Sequence, residues 1–150
     1  MATVKATVQS RNSLSFSGLS TLASATYVRS SSAYNCSTNS PTDVIVEVDA
    51  ATTNTPAGNT RVGVFIQESL DNSNFRSGPT SGTTTTDEPN LKLLGYLPLA
   101  SSSVTEIGMF SVLQTLGYVP YSFYVVIKND LGVALTSATV YTAEIQTTVA

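Results

Sequence analysis

The sequence has no histidine, no tryptophan and a single cysteine, and only 11% of its residues are charged. Each shortage excludes a class of chemistry. Without histidine there is no His-based triad, no Cys–His pair and no side chain that serves unaided as a general base near neutral pH. The commonest zinc ligand is missing as well. The lone Cys36 makes no internal disulfide and anchors no thiolate metal cluster. Seven Lys and Arg against ten Asp and Glu leave a net charge of −3. With no basic stripe to neutralise phosphates, nucleic acid is not an expected partner. No run of about 18 apolar residues occurs, so no membrane-spanning segment is expected. The first twenty residues lack the continuous apolar stretch of a signal peptide. The expectation is a chain made and kept in a cytoplasm, or in a particle assembled there, with no cofactor and no bound metal.

Hydroxyls fill the place of the missing charge: 43 of the 150 positions are Ser or Thr, while 41% of the chain is hydrophobic. A chain of this length hides roughly 70% of its unfolded surface on folding, enough for one self-sufficient core. Residues 1–150 therefore read as a single domain.

Period-two alternation dominates, the pattern of half-buried strands. Ala2, Val4, Ala6 and Val8 alternate with Thr3, Lys5, Thr7 and Gln9. Residues 2–9 are either an arm free to pair with another chain or the edge strand of their own sheet. Ser13–Phe16 and Ala23–Arg29 repeat the pattern. Asp43–Asp49 sets Val44, Val46 and Val48 on one face, with Asp43, Glu47 and Asp49 beside Ile45 on the other, which reads as a wet outer face. Arg61–Leu70 follows across a loop rich in Thr, Asn, Pro and Gly, and the two strands are expected to pair as a long-looped hairpin. Asp71–Asn90 has no periodicity and reads as a functional or mobile loop. Leu91–Leu99 and Val104–Val112 are further strands, and Ser111–Gly117 has room for one helical turn. Tyr121–Lys128 carries bulk on both faces and belongs in the middle of a sheet. Asn129–Gly132 is a turn, and Thr139–Val149 closes the chain. About eight strands with frequent turns predict an all-β fold: an antiparallel, jelly-roll-like β-sandwich.

Candidate chemistry is sparse. Asp71–Asn74 places oxygen donors at alternate positions, yet lacks the Gly and bidentate Glu of a calcium loop and reads as a polar turn. Asp43, Glu47 and Asp49 share a strand face, but no Trp is present to line a sugar cleft beside them. Cys36 lies in a glycosylation sequon with Asn35 and Ser37, and reads as a small packing residue. The seven tyrosines suit half-buried strands and interfaces alike. No catalytic residue is assigned.

Leu94-Gly95-Tyr96-Leu97-Pro98-Leu99, then Phe110-Ser111-Val112, then Val119-Pro120-Tyr121 and the run Val125–Leu135 follow one another in an order that resembles small virion proteins of tailed bacteriophages. The resemblance covers about a third of the chain. It implies a non-enzymatic, oligomeric protein of the virion, most simply a capsid decoration (cement) protein. Proteins of that kind commonly sit as homotrimers on the outside of the shell where capsomers meet, with the major capsid protein or another virion protein as partner. Tail, neck and adsorption-apparatus proteins are the alternative within the same particle. A carbohydrate-binding β-sandwich module is the alternative outside it. For a packing role, the expected contact residues are Val4 and Val8 on the N-terminal strand and Phe75 in the long loop.

Overall fold

The alternating pattern becomes two antiparallel sheets in the computed structural model, which describes residues 2–149. In chain order the strands are β1 (Val4–Val8), β2 (Asn12–Leu14), β3 (Tyr27–Arg29), β4 (Tyr34–Asn35), β5 (Asp43–Ala51) and β6 (Arg61–Ser69). They continue with β7 (Ser81–Gly82), β8 (Lys92–Pro98), β9 (Glu106–Ser111), β10 (Ser122–Asn129) and β11 (Ser137–Val149). One short helix, α1 (Val112–Leu116), lies between β9 and β10. The smaller sheet has the order β1-β11-β5-β9, with β2 also on β11; the larger runs β7-β3-β10-β6-β8, with β4 on β10. The fold is a β-sandwich. The count exceeds the expected eight or so partly because β4 and β7, only two residues each, lie in segments the sequence reads as connections.

The core lies between the sheets. Val44, Val46 and Val48 of β5 face Val62, Val64 and Ile66 of β6 together with Phe123, Val125 and Ile127 of β10, all fully buried. Each such side chain contributes about 1.5–3 kcal/mol relative to exposure. This packing corrects the expected hairpin: β5 pairs with β11 and β9, and β6 pairs with β10 and β8. Each strand has one strongly apolar face, and placing them in opposite layers buries the two faces against each other. The loop between them carries the chain from one layer to the other. β10 does take the central place predicted for it, between β6 on one side and β3 and β4 on the other.

Two polar groups fix the ends of this core. Asn129 is fully buried; its side-chain amide donates to the Leu22 and Val133 carbonyls at 2.8 Å each and its Oδ1 accepts from Leu131 N. One side chain thus joins three segments around the β10–β11 turn. Asp43 does not lie on a wet face, contrary to its strand pattern. It is buried, accepting at Oδ1 from Leu113 N at 2.8 Å and at Oδ2 from Ser111 Oγ at 2.6 Å. Ser111 Oγ in turn accepts from Gln114 N, so Asp43 and Ser111 together satisfy two of the free N–H groups at the start of α1.

β8 carries an irregularity: Val64 pairs with Gly95 and Phe65 with Leu93, leaving Leu94 as an extra residue. Beside the bulge, the Phe110 ring of β9 rests on Gly95 and Gly108. A Cβ on Gly95 would lie 2.5 Å from the ring. Replacing Gly95 by Val is expected to destabilise the chain by about 1–3 kcal/mol through overpacking. Urea unfolding measures this, and a Gly95→Val chain as stable as the parent would show that β8 and β9 are not packed closely here.

Candidate functional surfaces

The two sheets treat their outer faces differently. On the larger sheet, Tyr27, Phe65 and Val126 point away from the main core and are covered by Leu91, making a second small cluster. The cover is the segment from Asp71 to Leu91, which the sequence marked as a functional or mobile loop. It is folded back and tied down. Phe75 packs at a tilt against Tyr124 with ring centroids 4.7 Å apart, and Gln67 Nε2 donates to the Gly78 carbonyl. Arg76 Nε donates to Glu68 Oε1 at 2.6 Å. Glu88, in a 3-10 turn, accepts at Oε2 from Lys128 Nζ at 2.6 Å and from the Tyr27 hydroxyl. Asp130 Oδ1 stands 3.6 Å from the same ammonium.

The electrostatics of this tie follow from its partial burial. Desolvation raises the Glu88 carboxyl, but the hydrogen bonds from Lys128 and Tyr27 outweigh it and hold the group below its ordinary 4.5. Burial likewise works against the Lys128 charge, and Glu88 more than offsets it, so the ammonium is held above its usual value. Burial, with Glu88 close by, pushes the Tyr27 phenol up to about 12.

The outer face of the smaller sheet has no such cover. Register places Val4, Ala6 and Val8 of β1 beside Val149, Thr147 and Ile145 of β11; Ala143 lies beside Ile45 of β5. Glu47 and Asp49 of β5 stand beside Met109 and Ile107 of β9. Val4, Val8, Ile107, Met109 and Val149 are exposed by 56% to 70%. Across the middle, Arg11 lies 4.0 Å over the Tyr141 ring and pairs with Glu47, with Asp49 at 4.0 Å. A groove of about 360 Å³ runs here, lined mainly by Val8, Arg11, Ile45, Met109 and Tyr141. Burial and the neighbouring Glu47 charge raise the Asp49 carboxyl, with Arg11 opposing.

The three expected contact residues therefore do not come together. Val4 and Val8 are exposed on the smaller sheet, while Phe75 is engaged by Tyr124 on the larger one. Residues 2–9 supply β1, the edge strand of the chain's own sheet. Ile45, Ile107, Met109 and Tyr141 were missed. In Glu106–Ser111 both phases of the alternation carry apolar groups, and only the closeness of Phe110 to the two glycines shows which phase faces inward.

The remaining candidates are absorbed locally. Asp71 Oδ1 accepts from Ser69 Oγ, Ser73 N and Asn74 N, and Oδ2 from Asn74 Nδ2, so the turn satisfies its own carboxylate. The backbone bond from Asn74, first among these, holds that carboxyl well below the usual range. Cys36 is buried in the core, its thiol pushed up to about 12 by burial and then by Glu144. Among the described residues no group of three or more Cys, Asp or Glu is placed to hold a metal ion. A cleft of about 540 Å³ lies where Glu68, Asp71, Arg76 and Tyr118 meet, and Arg76 and Glu68 in its lining are paired with each other. Among the same residues no helix is long and apolar enough to cross a membrane. The chain matches no protein-family model, and no curated protein is significantly similar to it in sequence.

The loop tie predicts a pH dependence. Glu88 has a folded pKa below its unfolded value, so its stabilisation is complete above about pH 4.5 and is lost as pH falls through the folded value. Glu88→Gln is expected to cost about 1–3 kcal/mol at pH 7, and the gap to the parent is expected to be smaller at pH 3. Guanidinium unfolding at both pH values tests this, and an equal gap at both would remove the charged tie from the account.

Proposed function

We propose that this chain is a non-enzymatic structural protein of a tailed-bacteriophage particle, a capsid decoration protein that binds the outside of the shell at capsomer junctions. The observation that carries the reading is the bare apolar face of the smaller sheet, on a molecule whose other sheet is covered by its own loop. Contiguous apolar surface left on one side marks a place where another protein packs. The surface around it is rich in hydroxyls and poor in charge, which lowers the desolvation cost of close packing. The phage-like motifs add the particle context. Leu97, Leu99, Val112, Leu131 and Leu135 within them are buried, so the motifs bear on the fold, and the exposed face supplies the binding argument.

In this reading the sheet face lies against the major capsid protein, with Ile107 and Met109 on one side and Val4 and Val8 on the other as the apolar contacts, and the Arg11–Glu47 pair crossing between them. Each contact is modest. Repetition over a symmetric shell, with copies grouped as the homotrimers that the resemblance implies, multiplies modest contacts into strong retention.

The test is co-sedimentation of the purified chain with shells that lack it, followed by cryo-electron microscopy of the loaded particles. Met109→Lys alters a residue exposed by 66% and is expected to leave folding intact while weakening shell binding by about tenfold or more, some 1.4 kcal/mol. Density over capsomer junctions supports the decoration role. Density confined to the tail moves the chain to the neck or adsorption apparatus, and failure to bind any part of the particle overturns the reading.

A further inference from the structure

The free edge of β1 carries a specific self-complementarity. β1 ends the smaller sheet, and among the described residues no strand lies beyond it. The phase of its main-chain groups follows from one bond. Gln9 donates its backbone N–H to the Glu144 carbonyl at 2.8 Å, and residues 9 and 144 stand opposite each other in the register that pairs Val8 with Ile145. In an antiparallel ladder, hydrogen-bonded and non-hydrogen-bonded pairs alternate. Thr7 and Lys5 therefore turn their N–H and C=O groups toward β11. Val4, Ala6 and Val8 turn theirs outward, to the unpaired edge.

We propose that two copies of this chain associate through β1, antiparallel about a two-fold axis at Ala6. That register sets Val4 opposite Val8 of the second copy and Ala6 opposite Ala6. These are the residues whose main-chain groups point outward, so about six N–H···O=C bonds form without disturbing the intrachain ladder. Side chains agree with the backbone. Val4 and Val8 lie on the apolar outer face, so the paired valines carry that face across the axis. Lys5 is the only charged residue of β1, and it falls opposite Thr7 of the second copy, so no like charges meet. Axes centred on Lys5 or Thr7 would oppose groups already bonded to β11, and axes at Val4 or Val8 would pair fewer residues. An uncapped edge with one matching register for its own copy fits that copy better than a generic partner strand.

The inference concerns the chain in solution and does not depend on a place in a particle. A two-fold contact at β1 is also separate from a threefold grouping, and mass tells the two apart. Light scattering after size exclusion is expected to give twice 15.7 kDa, shifting toward one chain on dilution. Ala6→Pro removes an outward N–H and leaves the bonds to β11, so it is expected to give a folded single chain. Thermal melting checks that folding is kept. Because proline can disturb the strand itself, a second pair of variants tests the register. Val4→Lys with Val8→Lys opposes like charges across the axis and is expected to abolish dimers; Val4→Lys with Val8→Glu opposes unlike charges and is expected to restore them. A single chain at all concentrations, a trimer, or a dimer that survives both Ala6→Pro and the double-lysine variant overturns the proposal.

Discussion

The contact among Glu88, Lys128 and Tyr27 decides which side of this sandwich is available. Two antiparallel sheets packed on one core leave two outer faces, and a sheet face with apolar side chains must be covered or must serve as a contact. Glu88 draws the segment from Asp71 to Leu91 down onto the larger sheet, where Leu91 and Phe75 cover Tyr27, Phe65, Val126 and Tyr124. The charged group is kept ionised in partly buried surroundings because an ammonium and a phenol replace the water it gives up. The reading of the smaller sheet as a contact face depends on that asymmetry, since the loop covers the larger sheet and leaves the smaller one bare.

The bare face is not uniformly greasy. Arg11 reaches across from the β1–β2 connection, lies over Tyr141 and pairs with Glu47, so a polar bar crosses a field of Ile, Met and Val. Such a bar limits indiscriminate stacking, because a partner must match the charges or pay for stripping water from them. The low-charge, hydroxyl-rich surroundings act differently: they neither repel a neighbour at long range nor hold it strongly when it is misplaced.

The sequence made much of the fold legible, and the reasons are particular. Alternating valines from Asp43 to Asp49 and the doubly bulky Tyr121–Lys128 are local signals, and each became the strand expected; the Asn-Asp-Leu-Gly segment instead ends β10 and opens the connection to the other layer. The partner of a strand is not a local property. β5 and β6 are neighbours in sequence and each has one apolar face, which fits a hairpin and a sandwich equally well until the whole core is assembled. Asp43 reads as a solvent-facing acid because alternation reports only which face a residue is on. Its burial comes from α1, almost seventy residues later. The packing of the loop was hidden for a related reason: Glu88 and Leu91 are unremarkable until Lys128 and Tyr27 stand beneath them. Of the candidate surface, Val4 and Val8 were readable from the first strand, whereas Ile107 and Met109 needed the position of Phe110.

The place of β11 has a consequence for synthesis. It fills the interior of the smaller sheet, with β1 and β2 on one flank and β5 on the other, and every one of those strands leaves the ribosome before it does. Until those thirteen residues emerge, β1 and β2 have no ladder and β5 has β9 alone, while the valines of β5 already seek cover. Folding of this layer is therefore a late, long-range event, of the kind in which loop closure costs entropy before any contact repays it. A nascent chain in this state exposes an incomplete sheet until β11 has emerged, and that interval is when it is most open to mispairing with its neighbours.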